Sequence, residues 1–240
     1  MSSTLKSFCI EKTTVYREIK LQDRNIQRIY EIVNPQGDSI IEIPTGCVEL
    51  RLLKNDSEKK LEWKEGGAVS EAGMLSDWEY CFGVMLKPGT AISPADVSCD
   101  ELIELFDEGE LSLQKAQKIC HYLSERIQRA EHVIVDQLIE SVLEKKGNAS
   151  IKELIDQLGY SQRYSERIFK EGMGFSIKRF AGIVRLQNAL EMLNNEVSND
   201  DAIYEQLGYY DQAHFIHEFK KFTSLTPNRF RRRRGEITFV

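Results

Sequence analysis

Along the first ninety residues, apolar and polar positions alternate in short runs. Val48-Glu49-Leu50-Arg51-Leu52 sets apolar against charged side chains with a period of two, the mark of a half-buried strand. Pro44-Thr45-Gly46 before it is a turn signal, and residues 40–43 are its expected partner strand. Residues 54–60 read as a charged loop. Residues 61–64 alternate again before Gly66-Gly67, and residues 80–86 form an apolar run that stops at Pro88-Gly89. Short strands at this spacing predict a sandwich or small barrel.

From residue 93 the period lengthens. Ser93-Pro94 pairs an N-cap with a first-turn proline, and residues 100–106 predict a short helix. Leu113, Ala116, Cys120, Leu123 and Ile127 fall at helical spacing, and Val135, Leu138, Ile139, Val142 and Leu143 make a second stripe. Lys145-Lys146-Gly147-Asn148 closes that helix with cations and a C-cap glycine. The expected division is a β-rich domain over 1–110, a helical connector over 111–147 and an all-α domain over 148–240. The fold class is thus α+β. If a helical stripe of the connector mediates dimerisation, the one through Leu138 and Val142 is the expected seam.

The last third repeats itself. Residues 151–170 read IKELIDQLGYSQRYSERIFK and residues 200–220 read DDAIYEQLGYYDQAHFIHEFK. Each copy predicts a short amphipathic helix, a glycine turn and a second helix ending in Phe-Lys. In the first copy, Ser161 caps the second helix while Ser165, Ile168 and Phe169 face inward. Gln162, Arg163, Glu166, Arg167 and Lys170 then share the outward face, with Tyr164 at its margin. A shift of fifty residues makes Asp211 the second cap and Phe215 and Phe219 the inward residues. Gln212, Ala213, Ile216, His217 and Lys220 form the matching outward face, with His214 at its margin.

Arg and Gln suit bidentate hydrogen bonds to guanine and adenine edges, and Ala213 and Ile216 suit a thymine methyl group. Residues 177–193 predict a joining helix with Phe180, Val184, Ala189, Leu190 and Leu193 buried. Its length of roughly 25 Å, with the width of each unit added, would set the two outward helices about one duplex turn apart, roughly 34 Å. Arg231 to Arg234 add four cations suited to phosphates.

Charge and composition refine this. The net charge of −6 is uneven: residues 148–240 hold 14 Lys+Arg against 12 Asp+Glu, leaving 18 against 26 in residues 1–147. The doubled segment is the basic end, though only weakly. There is no run of about 18 apolar residues and no signal-like N-terminus, so a cytoplasmic chain without membrane contact is expected. Five scattered cysteines without C-x-x-C fit reduced thiols.

All four histidines lie beyond residue 110, which excludes an imidazole metal site in the β half. No G-x-S-x-G, Walker loop or G-x-G-x-x-G occurs, so neither an enzyme nor a cofactor is expected. Cys47 and Cys81 read as core residues on strands. Trp63, Trp78, Tyr80 and Phe82 are candidates to line a ligand pocket.

Gly159-Tyr160-Ser161, Arg163-Tyr164, Phe169-Lys170, Arg185-Leu186-Gln187 and, above all, GYYDQAHFIHEFKKFTSLTP over residues 208–227 carry a resemblance to the DNA-binding domain of AraC/XylS-type transcription regulators. That resemblance implies two helix-turn-helix units in adjacent major-groove segments. It also implies RNA polymerase as a partner, and an N-terminal domain that senses a small-molecule effector or forms a homodimer. Departures from the pattern are Ile155 and Tyr204 for alanine, Ser165 and Asp200 for apolar residues, Ile177 for proline and Ser224 for glycine. Residues 43–50 and 83–89 resemble cupin-like sensory domains. The expected function is sequence-specific binding of double-stranded DNA. The alternative is a helical protein-docking module or a ligand-binding protein that does not bind DNA.

Overall fold

The alternating runs become strands β1 (Phe8–Glu11), β2 (Val15–Lys20), β3 (Ile26–Val33), β4 (Ile41–Glu42), β5 (Glu49–Lys54), β6 (Lys59–Lys64), β7 (Tyr80–Leu86) and β8 (Thr90–Ile92). They are seen in a computed structural model that describes residues 5, 6, 8–11, 13–66, 75–129, 132–194, 200–233 and 237–240. Five strands form an antiparallel sheet in the order β2-β3-β7-β5-β6. A turn at Pro94–Asp96 leads to helices α1 (Cys99–Asp107) and α2 (Leu113–Ser124), each started by a serine cap, Ser98 and Ser112. Both cover one face of the sheet: Leu50, Leu52, Phe82 and Val84 meet Leu102, Phe106, Ala116, Ile119 and Leu123. Each of these side chains other than Ala116 contributes about 1.5–3 kcal/mol on burial.

Two sequence expectations change here. Residues 40–43 do not partner β5, because β4 pairs with β1 instead. Ile127 does not extend α2, which ends at Ser124. It starts β9 (Ile127–Arg129), which pairs with β8, and it reaches the same apolar cluster from a strand. A turn that brings the chain back to one core preserves a helical spacing without a helix. Leu113, the first residue of that stripe, is exposed at the start of α2.

The other face of the large sheet meets a second sheet of three strands, β10-β1-β4, whose edge strand β10 (Ile237–Phe239) comes from the far end of the chain. Cys9 lies opposite Phe239, and the Phe8 and Val240 amides exchange hydrogen bonds of 2.9 and 2.8 Å. Residues 148–240 are therefore not all-α. The alternation in β1 sends Phe8 and Ile10 toward Tyr30, Ile32, Leu53 and Cys81. It sends Cys9, with Ile41 of β4, toward the helices.

Between the two sheets lies a charged core. The alternation of β5 predicts Glu49 and Arg51 at a solvated face, yet both are fully buried. Arg51 donates to Glu49 at 2.8 Å and to Glu42 at 2.9 Å, and Tyr30 donates to Glu49 at 2.7 Å. Lys64 also bonds Glu42. Burial alone would raise the Glu42 carboxyl, but Arg51 and Lys64 hold it down at about 2. The polar face of an alternating strand faces water only if nothing packs on it, and here β1 and β4 do. Cys81 lies on β7 as expected, whereas Cys47 sits in the turn before β5; both are buried.

The remaining helices are α3 (Val133–Glu144), α4 (Ile151–Leu158), α5 (Gln162–Met173), α6 (Ile177–Asn194), α7 (Asp200–Gln206), α8 (Gln212–Thr223) and α9 (Pro227–Arg233). The segment 111–147 is not one connector. α2 belongs to the β body, while Val135, Leu138, Ile139 and Val142 of α3 are buried against Ile155, Ile168, Phe169 and Phe180. The stripe through Leu138 and Val142 is thus core and not a dimer seam. Periodicity shows that a face is buried but does not show what buries it.

The joining helix α6 is buried on more than the one side expected. Phe180, Ala181 and Val184 pack with α3–α5, and Ile183, Leu186 and Leu190 pack with α7–α9 and the three-stranded sheet. Gln187 ties it to the β body, donating to the carbonyls of Lys6 and Pro44 at 2.7 and 2.9 Å and accepting from the Lys6 amide at 3.0 Å. Among the described residues, no helix is long and apolar enough to cross a membrane.

Candidate nucleic-acid interface

α4 and α5 meet at a turn made by Gly159, whose φ of 74° is left-handed backbone that favours glycine. Ser161 then caps α5 by accepting from the Tyr164 amide at 3.3 Å, a contribution of about 1 kcal/mol. Ser165, Ile168 and Phe169 are buried, which leaves Gln162, Arg163, Glu166, Arg167 and Lys170 exposed along one side of α5. Tyr164 is half-buried and stacks on Tyr160, their ring centroids 5.7 Å apart. The exposed side chains brace one another: Gln162 donates to Glu166 at 3.1 Å, and Arg167 donates to both oxygens of Glu171 at 3.0 and 3.2 Å. Neither bond is buried, so a duplex can replace both at little cost.

α7 and α8 repeat the arrangement with a longer turn. The glycines, at 159 and 208, are 49 residues apart, whereas the caps, at 161 and 211, are 50 apart. The shift of fifty therefore holds for the second helix and not for the turn. The extra residue is Tyr209, which is buried and packs on Phe215 with centroids 5.1 Å apart. Asp211 caps α8 by accepting from the His214 amide at 2.7 Å. Phe215 and Phe219 are buried, while Gln212, Ala213, His217 and Lys220 are exposed.

Two residues of the expected second face differ from the rest. Ile216 is half-buried, so a base contact is not needed to account for its apolarity. His214 is also half-buried, and its Nδ1 accepts from the Tyr210 amide at 3.2 Å, which fixes the ring to the turn. The basic tail is partly used within the fold. Arg233 pairs with Glu11 of β1 at 3.0 Å, Arg232 is exposed, and Arg234 lies outside the described residues.

Sequence reasoning named Arg185 only within the resemblance and gave it no role; it reaches the Gly208 carbonyl at 3.4 Å and lies 5.0 Å from the Tyr209 ring. It thereby fastens the second turn to α6. Sequence reasoning likewise gave no role to Tyr210, 91% exposed beside the α8 cap, or to the half-exposed Tyr160 in the same place beside α5. Their recurrence one residue before each cap was visible in the sequence.

The four aromatic candidates of the β half do not gather. Phe82 is fully buried against Phe106, and Trp78 packs on the opposite face of the sheet. Tyr80 borders one cavity with Arg17, Glu31, Lys54 and Asp107, whereas Trp63 borders another.

Residues 154–233 match the helix-turn-helix domain family. The transcriptional regulatory protein YesN of Bacillus subtilis (strain 168) is 24% identical over 203 residues, which make up 78% of this chain and 52% of YesN. A helix-turn-helix transcriptional regulator of Haemophilus influenzae is 32% identical over 95 residues, covering 40% of this chain and 32% of that protein. The chain spans about half the length of the first of these and less of the second. Among solved structures, the C-terminal domain of AraT, a response regulator from Geobacillus stearothermophilus, aligns with a TM-score of 0.40 at 25% identity, covering 42% of this chain and 85% of that one. The segment 154–233 is therefore similar to the helix-turn-helix domains of transcriptional regulators.

Proposed function

We propose that the whole chain is a sequence-specific transcription regulator of the AraC type, with α4–α5 and α7–α8 as two helix-turn-helix units that enter adjacent major-groove segments. The observation that carries this reading is the repeated placement of a capped helix with a buried aromatic side and an exposed polar side. Phosphate contacts from Lys170, Lys220 and the arginines of α9 would supply most of the affinity and its salt dependence. Gln162, Arg163, Glu166 and Arg167, with Gln212, Ala213 and His217, would read base edges. His214 is better suited to positioning the turn than to reading a base, because its Nδ1 is already engaged.

We read the β half as a cupin-like sensory unit. Two packed sheets and their direct seating on α6 support a role in setting the attitude of the two units. The test is a random-duplex selection with the full chain at fixed salt. Two enriched boxes about one helical turn apart are expected. A single box would reduce the reader to one unit, and no enrichment would favour a helical surface that docks protein.

A further inference from the structure

Among the described side chains, every aromatic ring is buried or half-buried except two, Tyr160 and Tyr210. They are fifty residues apart, and each stands immediately before the residue that caps its outward helix, Ser161 or Asp211. Tyr210 is 91% exposed and Tyr160 45%. An aromatic ring left in water gains by being covered. The same placement in both copies points to a ligand that both copies meet.

The turns hold the two residues by different means. The Tyr160 ring stacks on Tyr164, and the Arg167 guanidinium lies 5.6 Å from the Tyr164 ring. Tyr160 therefore belongs to the side of α5 that carries Arg167. In the second unit His214 takes the place of Tyr164 and accepts from the Tyr210 amide at 3.2 Å. That bond fixes the backbone and leaves the ring in solvent.

We propose that Tyr160 and Tyr210 contact the sugar-phosphate backbone of the duplex, one for each unit. A helix that enters the major groove meets base edges with its N-terminal residues, which here begin at Gln162 and Gln212. The residue before the cap then lies at the edge of the groove, where the strand runs. The phenol hydroxyl donates to a phosphate oxygen, and the ring covers the adjoining deoxyribose. A duplex offers that backbone to both units whatever its sequence, which suits a residue shared by two otherwise different outer faces. The contact rests on the DNA-binding reading. It adds to that reading two residues that set each helix in its groove without choosing a sequence.

A phenol is neutral, so its loss should lower affinity without changing the salt dependence, unlike loss of a lysine that displaces counterions. The full chain is titrated with the duplex recovered by selection and with a scrambled duplex of equal length, over a series of salt concentrations. Tyr160→Phe and Tyr210→Phe keep the ring and remove the hydroxyl. Each should weaken both duplexes about tenfold and keep the parent's slope against salt. Lys170→Ala should instead reduce that slope by about one. Tyrosine nitration read by mass spectrometry is the second measurement, and either duplex should protect both residues. Unchanged affinity, a loss confined to the selected duplex, or continued nitration of either residue in the bound complex overturns the proposal. A parent chain that binds neither duplex would overturn the DNA-binding reading itself. A parent that binds while both tyrosines stay open to nitration sinks the backbone contact alone.

Discussion

The two helix pairs are built to one plan and supported differently. The first rests on α3, within an apolar cluster made by Leu138, Val142, Ile155, Ile168, Phe169 and Phe180. The second rests on α9 and on the β body, in a cluster that joins Phe215, Phe219 and Phe230 to Cys9, Ile41 and Ile43. The outer faces diverge in the same sense. α5 shows five polar or charged residues, whereas α8 shows Gln212, His217 and Lys220 beside Ala213 and the half-buried Ile216. A repeat in sequence thus makes one unit with a more polar outer face and another that is more closely tied to the β half. The joint between them, α6, is where a change in the β body would reach either unit.

The largest test removes a core aromatic from each unit. Phe169→Ala and Phe219→Ala should each cost about 3–5 kcal/mol in chemical unfolding, since both rings are fully buried. They should differ in a second readout. Phe219 belongs to the cluster that covers Cys9, whose thiol is pushed up by burial, so Phe219→Ala should speed reaction of Cys9 with a thiol reagent. Phe169→Ala should leave that rate unchanged. Equal acceleration in both would mean that the two units share one support.

Acid should separate the supports without mutation. The Glu42 carboxyl is held at about 2, below its ordinary 4.5, by Arg51 and Lys64 against the opposing effect of burial. A depressed carboxyl stabilises the fold above the unfolded value and ceases to do so as pH falls through the folded one. Between roughly pH 4.5 and 2 the β body should therefore loosen. Amide exchange should then rise in α8, which shares a cluster with Ile41 and Ile43 beside Glu42, before it rises in α5. Simultaneous loss in both helices would contradict the asymmetry.

A smaller effect is expected at the duplex. Arg167→Ala should cost about 1–3 kcal/mol at the preferred site and relax base choice there. His217→Ala should cost less, about 1 kcal/mol or under, because α8 offers fewer bidentate groups. A uniform loss across all sequences for Arg167→Ala would assign that side chain to phosphate and make the two units equivalent as readers.

Much of this was legible in the chain and some was not, for definite reasons. The caps Ser161 and Asp211, the inward Phe169 and Phe219 and the exposed side of α5 follow from helical spacing and local capping chemistry, which neighbours in sequence control. The seating of α3 on the first unit, the burial of Glu49 and Arg51 and the return of β10 to β1 do not. Each depends on which distant surface arrives, and periodicity records only that a face is covered. Ile127 shows the same limit at small scale, since its spacing suited a helix while the chain had already turned into β9. Tyr209 shows another: the repeat looked strict at a shift of fifty, yet one residue had been added inside the turn.

The finest contrast lies at the ends of the two outward helices. Both close on a residue in the left-handed region whose amide bonds to the carbonyl four residues back: Gly174 at φ 80° and Ser224 at φ 58°. A non-glycine residue there costs roughly 1–2 kcal/mol, offset in part by the entropy that glycine loses on folding. Ser224→Gly should therefore stabilise the chain by about 0.5–1 kcal/mol, and Gly174→Ser should destabilise it by about 1 kcal/mol. Ser224 is exposed, and a Cβ at Gly174 would meet nothing within 4 Å, so both changes report backbone conformation alone. Thermal unfolding of the two variants beside the parent checks the pair. A destabilising Ser224→Gly would mean that the serine hydroxyl serves this end of α8. The second unit would then differ from the first in its closing turn as well as in its opening one.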